Sequence, residues 1–146
     1  METRSITSLD ELQGIAEEVI SRLRKDDRAT VVTLTGDLGA GKTAFTKELA
    51  RLLEIAHEIT SPTFVIMKSY EISTDSFLKT LTHIDAYRIE SDDEMRVLGF
   101  EELLKDPARL ICVEWPEKIQ SLIPKNAYPI SLTLNLDGTR TISYGP

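Results

Sequence analysis

The chain has 146 residues but only one cysteine, Cys112, and few aromatic residues. A single cysteine excludes both an internal disulfide and a cysteine-rich metal site. No run approaches the length of about 18 apolar residues that a membrane span needs, and the first residues lack the apolar core of a signal peptide. We therefore expect a cytoplasmic protein with no membrane segment.

Positive charge is also scarce. The chain has 17 Lys and Arg residues against 24 Asp and Glu residues, which gives a formal net charge of -7. Such a balance repels a polyanion, so we expect no autonomous binding to nucleic acid. Any role on RNA would be exerted through a partner that carries the positive surface. The length fits one domain over residues 1–146.

Hydrophobic periodicity predicts an alternation of strands and helices. Ser8 and Glu11 have capping-box spacing and open an amphipathic helix predicted over residues 9–24. Further helices are predicted from residue 42 to about 54, over 91–104 with a break at Gly99, and over 117–122. Strands are predicted over 30–35, 64–70, 78–87, 110–113, 130–136 and 139–144, with 64–70 and 78–87 as an antiparallel hairpin. This order favours a three-layer α/β domain whose sheet is mixed, part parallel and part antiparallel.

Residues 36–43 read GDLGAGKT, a full match to the G-x-x-x-x-G-K-[ST] pattern of a phosphate-binding loop. The glycines allow the backbone to bend sharply and to turn its N–H groups toward one point, at the start of a helix. We expect Lys42 to contact the β- and γ-phosphates and the Thr43 hydroxyl to be a ligand of Mg²⁺, which prefers oxygen. The nucleotide-binding residues predicted in this segment are Gly36, Asp37, Leu38, Gly39, Ala40, Gly41, Lys42, Thr43 and Ala44.

Two acidic residues follow apolar runs, where a phosphate-loop protein places a carboxylate near its metal. Asp85 follows LTHI at 81–84, and Glu114 follows LICV at 110–113. We predict that both take part in Mg²⁺ binding and catalysis. The residues leave open which acid contacts the ion and which orients the attacking water.

Three other positions near these motifs have weaker signals. Thr63 lies in a loop before a strand, where GTPases place a threonine that closes over the γ-phosphate. His83 alternates into the strand of Asp85, and we expect it to be packed and neutral. Trp115 follows Glu114 directly, where a lone tryptophan is more often a packing residue than a ligand contact. Nothing identifies an arginine finger, so hydrolysis by the chain alone should be slow.

The motifs GDLGAGKT, SPTF at 61–64, HIDAYR at 83–88 and EWPEKI at 114–119 occur in an order and spacing that resemble the TsaE family, formerly YjeE. The resemblance covers about residues 6–136. It implies a P-loop NTPase-like fold with an unusually small mixed sheet. It also implies a bacterial ATPase, with ATP and Mg²⁺ as cofactors, that is accessory to the synthesis of threonylcarbamoyladenosine in tRNA. The implied partners are TsaB and TsaD, whose complex the ATPase would bind and reset, and tRNA would be reached only through that complex.

The resemblance further implies roles at single positions. Lys42 and Thr43 would contact phosphate and metal, and Thr63 would act as a switch-like threonine. Asp85 and Glu114 would form the acidic pair around Mg²⁺ and the attacking water. Trp115 would then lie beside the nucleotide site.

Other functions use the same loop. A small-molecule kinase would need a lid and an acceptor pocket, for which 146 residues leave little space. A GTPase is disfavoured because no N-K-x-D signature is found and the segment 85–88 does not match D-x-x-G. A nucleotide-gated assembly module, in which binding matters more than turnover, stays open. The preference for adenine rests on the resemblance alone.

Overall fold

The computed structural model describes residues 1–60 and 65–146. Its strands are β1 Glu2–Ile6, β2 Thr30–Thr35, β3 Met67–Glu71, β4 Thr80–Asp85, β5 Arg109–Glu114, β6 Tyr128–Leu134 and β7 Arg140–Tyr144. Its α-helices are α1 Leu9–Arg22, α2 Lys42–Leu52, α3 Asp92–Val97 and α4 Phe100–Leu103, and a 3₁₀ helix spans Pro116–Leu122. These elements follow the predicted order, with the addition of β1.

The seven strands form one sheet in the order β1-β7-β6-β2-β5-β4-β3. Its centre is parallel, because β2 pairs in parallel with β5 on one side and β6 on the other, and β4 continues beyond β5. Both edges are antiparallel, with β3 against β4 at one edge and β6, β7 and β1 in succession at the other. The predicted mixed sheet and the predicted hairpin are therefore confirmed.

Helices cover both faces of the sheet. The side chains of β5 show the division, since Leu110 and Cys112 face the core under α1 and α2, whereas Ile111 and Val113 face the core under α3, α4 and the 3₁₀ helix. This alternation is expected of a strand that is buried on both faces. The arrangement confirms the three predicted layers.

Several predicted boundaries shift by a few residues. Helix α1 begins after Ser8, whose hydroxyl accepts the Glu11 N–H at 3.3 Å as predicted, but it ends at Arg22 because Leu23 is extended. Strand β6 ends at Leu134, before the predicted residue 136. The cause is a turn in which the Asn135 N–H donates to the Thr139 carbonyl at 2.8 Å.

Strand β1 was not predicted. Of its five residues only Ile6 is buried, so the segment lacks the apolar alternation that predicts a strand. It forms at the edge of the sheet through backbone pairing with β7, supported by a 2.9 Å hydrogen bond between the hydroxyls of Thr3 and Ser143. Within the described ranges, the helices are all too short or too polar to cross a bilayer.

Candidate functional site

The phosphate-binding loop connects the central strand β2 to helix α2. Three of its glycines have positive φ angles, 145° at Gly36, 82° at Gly39 and 110° at Gly41. At Gly36 a Cβ atom would also clash with the Leu132 carbonyl oxygen of the neighbouring strand β6. The conformation of the loop therefore requires glycine where the sequence has it.

Lys42, at the start of α2, points back into this loop. Its ammonium donates to the carbonyl oxygens of Gly36 and, at 3.0 Å, of Asp37, and lies 4.2 Å from the centre of the Trp115 ring. The residue is only 5% exposed. Burial lowers the pKa of Lys42, an effect that nearby carboxylates oppose. The cation is thus held by neutral oxygens and an aromatic face, which are weaker partners than phosphate.

Glu114, at the end of β5, joins the loop to the sheet. Its Oε2 accepts a hydrogen bond of 2.9 Å from the Thr43 hydroxyl and lies 2.5 Å from Nε2 of His83 on β4. Glu114 is 4% exposed and His83 is 0% exposed. Hydrogen bonds stabilise a buried carboxylate, and both of these contacts are made to the same oxygen, Oε2.

Asp85 is the neighbour of Glu114 across the sheet. The two residues are paired in the register of β4 and β5, so both carboxylates emerge at the same end of adjacent parallel strands. Asp85 Oδ1 accepts the Tyr87 N–H at 3.0 Å. Burial raises the pKa of Asp85, and the charge of Glu114 raises it further, while the bond from Tyr87 acts in the opposite direction.

Trp115 adopts a left-handed backbone conformation, with φ 58° and ψ 52°. Its N–H donates to the Leu34 carbonyl at 3.3 Å, and its ring lies 5.0 Å from the Tyr87 ring at an interplanar angle of 50°. The turn at this residue places the indole over Lys42 instead of continuing along β5. An open cleft of about 230 Å³ results, lined by Leu38, Gly39, Gly41, Lys42, Thr43, Ala44, Asp85, Glu114 and Trp115.

A second cleft of about 240 Å³ adjoins the first, and Gly41 and Ala44 line both. Its other walls come from the junction of β1 and α1 and from the β6–β7 hairpin: Ile6, Thr7, Ser8, Leu9, Leu12, Leu132, Gly138 and Arg140. The Arg140 guanidinium donates through Nε to the Ala40 carbonyl at 3.1 Å, which ties β7 to the phosphate-binding loop.

The structure brings together most of the predicted site residues. Gly36, Asp37 and Ala40 do not line the first cleft, but Gly36 and Asp37 contribute carbonyl oxygens to Lys42, and Ala40 is buried. Thr63 and the rest of the SPTF motif lie outside the described residues. The roles assigned to these residues stay predictions.

Sequence reasoning missed two contributors to the site. His83 is packed, as expected, but its contact with Glu114 was not anticipated. The second cleft was also missed, since it depends on β1, which has no apolar pattern, and on Arg140, which lies far from the loop in sequence. A spacing of two residues between His83 and Asp85 was the one available signal, because it places both side chains on the same face of a strand.

Comparisons with known proteins identify the family of this chain. A family model for the threonylcarbamoyl adenosine biosynthesis protein TsaE matches residues 6–142. The tRNA threonylcarbamoyladenosine biosynthesis protein TsaE of Treponema pallidum is 39% identical over 126 residues, which cover 86% of this chain and 87% of that protein. The protein of the same name from Bacillus subtilis is 38% identical over 136 residues, covering 92% of this chain and 79% of that protein.

Among solved structures, the crystal structure of Bacillus subtilis YdiB is similar to this chain with a TM-score of 0.72 and 30% sequence identity. The similarity covers 98% of this chain and 83% of that one. The mixed α/β fold, with a P-loop NTPase-like arrangement of strand, loop and helix, is therefore shared along nearly the whole chain. The chain belongs to the TsaE family and is a protein of threonylcarbamoyladenosine biosynthesis.

Proposed function

We propose that this TsaE family protein is a cytoplasmic, Mg²⁺-dependent ATPase that binds the TsaB and TsaD proteins and resets their complex between rounds of tRNA modification. The observation that carries the proposal is the convergence of Lys42, Thr43, Asp85 and Glu114 on one cleft beside the phosphate-binding loop. A cation, a hydroxyl and two carboxylates in that place are the groups that a magnesium-bound triphosphate requires.

The side chains in the cleft fit Mg²⁺. Thr43 and the two acids offer only oxygen atoms, which this ion prefers, and Mg²⁺ in such sites is commonly held by one or two carboxylates together with substrate phosphates. The contact between Thr43 and Glu114 favours Glu114 as the acid on the metal side. Thr43 and Glu114 would hold the ion, which would supply positive charge against the negative charge that develops during hydrolysis.

Asp85 is then the acid left to orient the attacking water. It lies one strand further from the loop than Glu114, and burial raises its pKa. A carboxylate with a raised pKa is a stronger proton acceptor, which suits a group that positions water and accepts its proton. Lys42 would exchange its two carbonyl partners for phosphate oxygens, which bind an ammonium more strongly.

We assign the base of the nucleotide to the second cleft. It meets the first cleft at Gly41 and Ala44, and its lining combines apolar side chains with the Arg140 guanidinium. Concave, mostly apolar surfaces with a few polar groups are typical of small-molecule sites. The lining does not distinguish adenine from guanine by a specific donor or acceptor, so the preference for ATP rests on family membership.

The surface around the site suits a partner that covers the nucleotide. Leu38 at the tip of the loop is 71% exposed, and Tyr87 beside Trp115 is 45% exposed. Exposed apolar side chains grouped at a site are typical of protein interaction surfaces. Partner proteins bound there would exclude bulk water from the phosphates, so we expect ATP hydrolysis by the chain alone to be slow. In the TsaB–TsaD complex the partners would also bind the tRNA, in keeping with the net charge of -7 on this chain.

Steady-state hydrolysis tests the proposal. The purified chain is assayed with ATP and with GTP in the presence of Mg²⁺, alone and with a TsaB–TsaD complex, with Lys42→Ala as the inactive control. We expect feeble ATP turnover that rises when the complex is added. If the complex does not stimulate ATP hydrolysis and phosphate is transferred to a small acceptor instead, a small-molecule kinase is favoured and the proposal is refuted.

A further inference from the structure

The carboxylate of Glu114 contacts a buried histidine, His83. His83 Nε2 lies 2.5 Å from Glu114 Oε2, the same oxygen that accepts the Thr43 hydroxyl. We propose that His83 is a positioning residue that donates from Nε2 to Glu114 and fixes this carboxylate where it orients Thr43 toward a divalent cation. The inference rests on the proposed function, because it assigns a role at the same metal site.

The contact determines which ring nitrogen carries the proton. A carboxylate can only accept a hydrogen bond, so the proton between the two groups belongs to Nε2 of His83. Nδ1 is buried and has no hydrogen-bond partner among residues 1–60 and 65–146. An unpaired acceptor in that place is tolerated better than an unpaired N–H, since orphaned buried N–H groups are the rarer case in proteins. Both ends of the ring therefore favour the Nε2–H tautomer.

The position of His83 in the sheet makes it a rigid support. It lies on β4, one of the parallel strands at the centre of the sheet, and it is paired with Cys112 in the register of β4 and β5. Glu114 follows two residues after Cys112 and so points to the same face of β5. His83 and Cys112 are both completely buried, so the imidazole has little room to rotate. A ligand held by such a neighbour keeps its orientation before the ion arrives.

Loss of the His83 side chain is expected to weaken the binding of the metal and not the binding of the nucleotide phosphates. Without the Nε2 donor, Glu114 Oε2 would retain only the Thr43 hydroxyl, and its carboxylate could rotate away from the position that the cation needs. Loss of a residue that orients a metal ligand typically lowers metal affinity by about 10- to 100-fold. Phosphate contacts made by Lys42 and the loop do not depend on His83, so metal-independent nucleotide binding should be retained.

The test measures nucleotide affinity with and without the metal. Calorimetry with a non-hydrolysable ATP analogue is carried out in Mg²⁺ and in EDTA for the wild-type chain, His83→Leu and His83→Gln. His83→Leu should reduce the gain in affinity due to Mg²⁺ by about tenfold or more, while affinity in EDTA changes less than about twofold. His83→Gln, whose amide nitrogen can take the place of Nε2, should recover most of the gain. His57→Gln, at the exposed second histidine, is the control.

The outcomes separate this inference from the proposed function. If the wild-type chain gains no affinity from Mg²⁺, the proposed function fails and this inference fails with it. If the wild-type chain gains affinity but His83→Leu keeps that gain, or loses affinity equally in Mg²⁺ and EDTA, only the role of His83 is refuted.

A second measurement decides the matter even if His83→Leu does not fold. Long-range ¹H–¹⁵N correlation spectra of the wild-type chain report the tautomer of each histidine, and the His57→Gln spectrum assigns the signals. The Nε2–H tautomer at His83 is expected. An Nδ1–H tautomer would overturn the inference, because Nε2 could then not donate to Glu114.

Discussion

The Thr43 hydroxyl donates its proton to Glu114 Oε2 at 2.9 Å. This direction matters, because a hydroxyl that is to bind a metal must turn its proton away and present a lone pair. Glu114 accepts the proton of the Thr43 hydroxyl, which leaves a lone pair of the Thr43 oxygen free for an ion. The bond also joins the first turn of α2 to the end of β5.

Glu114→Gln and Lys42→Ala should separate hydrolysis from binding. Gln keeps the size of Glu114 but not its charge, so we expect Mg²⁺-independent nucleotide binding to be retained, while the gain in affinity due to Mg²⁺ decreases and ATP hydrolysis falls by about 100-fold or more. Lys42→Ala should abolish both. Complementation of a bacterial strain depleted of its own TsaE protein then distinguishes an ATPase whose turnover is required from a protein in which nucleotide binding is enough. Growth with Glu114→Gln but not with Lys42→Ala would show that binding suffices, as in a nucleotide-gated assembly module.

Thr43→Ala should remove the hydroxyl from the proposed metal site. We expect the affinity for an ATP analogue to fall about tenfold in Mg²⁺ and to change little in EDTA, while Thr43→Ser retains the wild-type dependence on Mg²⁺. Calorimetry in the two buffers measures the difference. Equal losses in both buffers would mean that Thr43 acts only through the shape of the loop.

Gly36→Ala should destabilise the chain by about 2–4 kcal/mol, since φ at this residue is positive and the added Cβ would meet a backbone carbonyl that cannot move away cheaply. Gly14→Ala is the matched control. Gly14 lies in α1 with nothing near the position of its Cβ, and the change should stabilise the chain by about 0.5–1 kcal/mol. Denaturant unfolding of both variants measures the free energies, and similar effects at the two sites would contradict the described loop geometry.

Leu9→Trp should narrow the second cleft and weaken ATP binding, without affecting the binding of inorganic tripolyphosphate, which has no base. We expect about a tenfold loss of ATP affinity, because a bulky ring there would displace the base from its apolar contacts. Leu136→Trp, at an exposed residue that does not line the cleft, is the control. Equal losses for ATP and tripolyphosphate would refute the assignment of the base to this cleft.

Asp85→Asn should change how stability depends on pH. Because the folded-state pKa of Asp85 is raised above its ordinary value of 3.8, the folded chain binds more protons than the unfolded chain between these two pKa values. Its contribution to stability therefore falls as the pH rises through that window and stays low above it. At neutral pH Asp85→Asn should raise the Tm by about 1–4 °C, and this gain should vanish in acid. Thermal unfolding from acid to neutral pH measures the difference, and a gain that does not depend on pH would contradict the charge argument.

The sequence predicted those parts of the fold that local chemistry determines. Strand β2 has the predicted bounds because its apolar run ends abruptly in glycine, and Gly99 separates α3 from α4 with a positive φ where the break was expected. The pairing of Asp85 with Glu114 was also foreseeable in outline. Both acids follow apolar runs, and parallel strands bring their carboxyl ends to one edge of the sheet.

Contacts between distant segments could not be predicted in this way. Strand β1 is held by pairing with β7, at the other end of the sequence, and not by its own polar residues. Arg140 reaches the loop at Ala40 only because β6 and β7 turn back beside it. The contact of His83 with Glu114 depends on the register of two strands, which periodicity does not specify. Each is a tertiary relationship with no signal in either segment alone.

Trp115 adopts a backbone conformation that costs stability but places its indole beside Lys42. A left-handed conformation at a residue other than glycine costs roughly 1–2 kcal/mol, and here that conformation is what carries the indole over the Lys42 ammonium. Glycine would relieve the strain but would leave the lysine without its aromatic cover. Packing of the indole against the core that contains Ile119 and against the Tyr87 ring opposes the cost of the left-handed backbone.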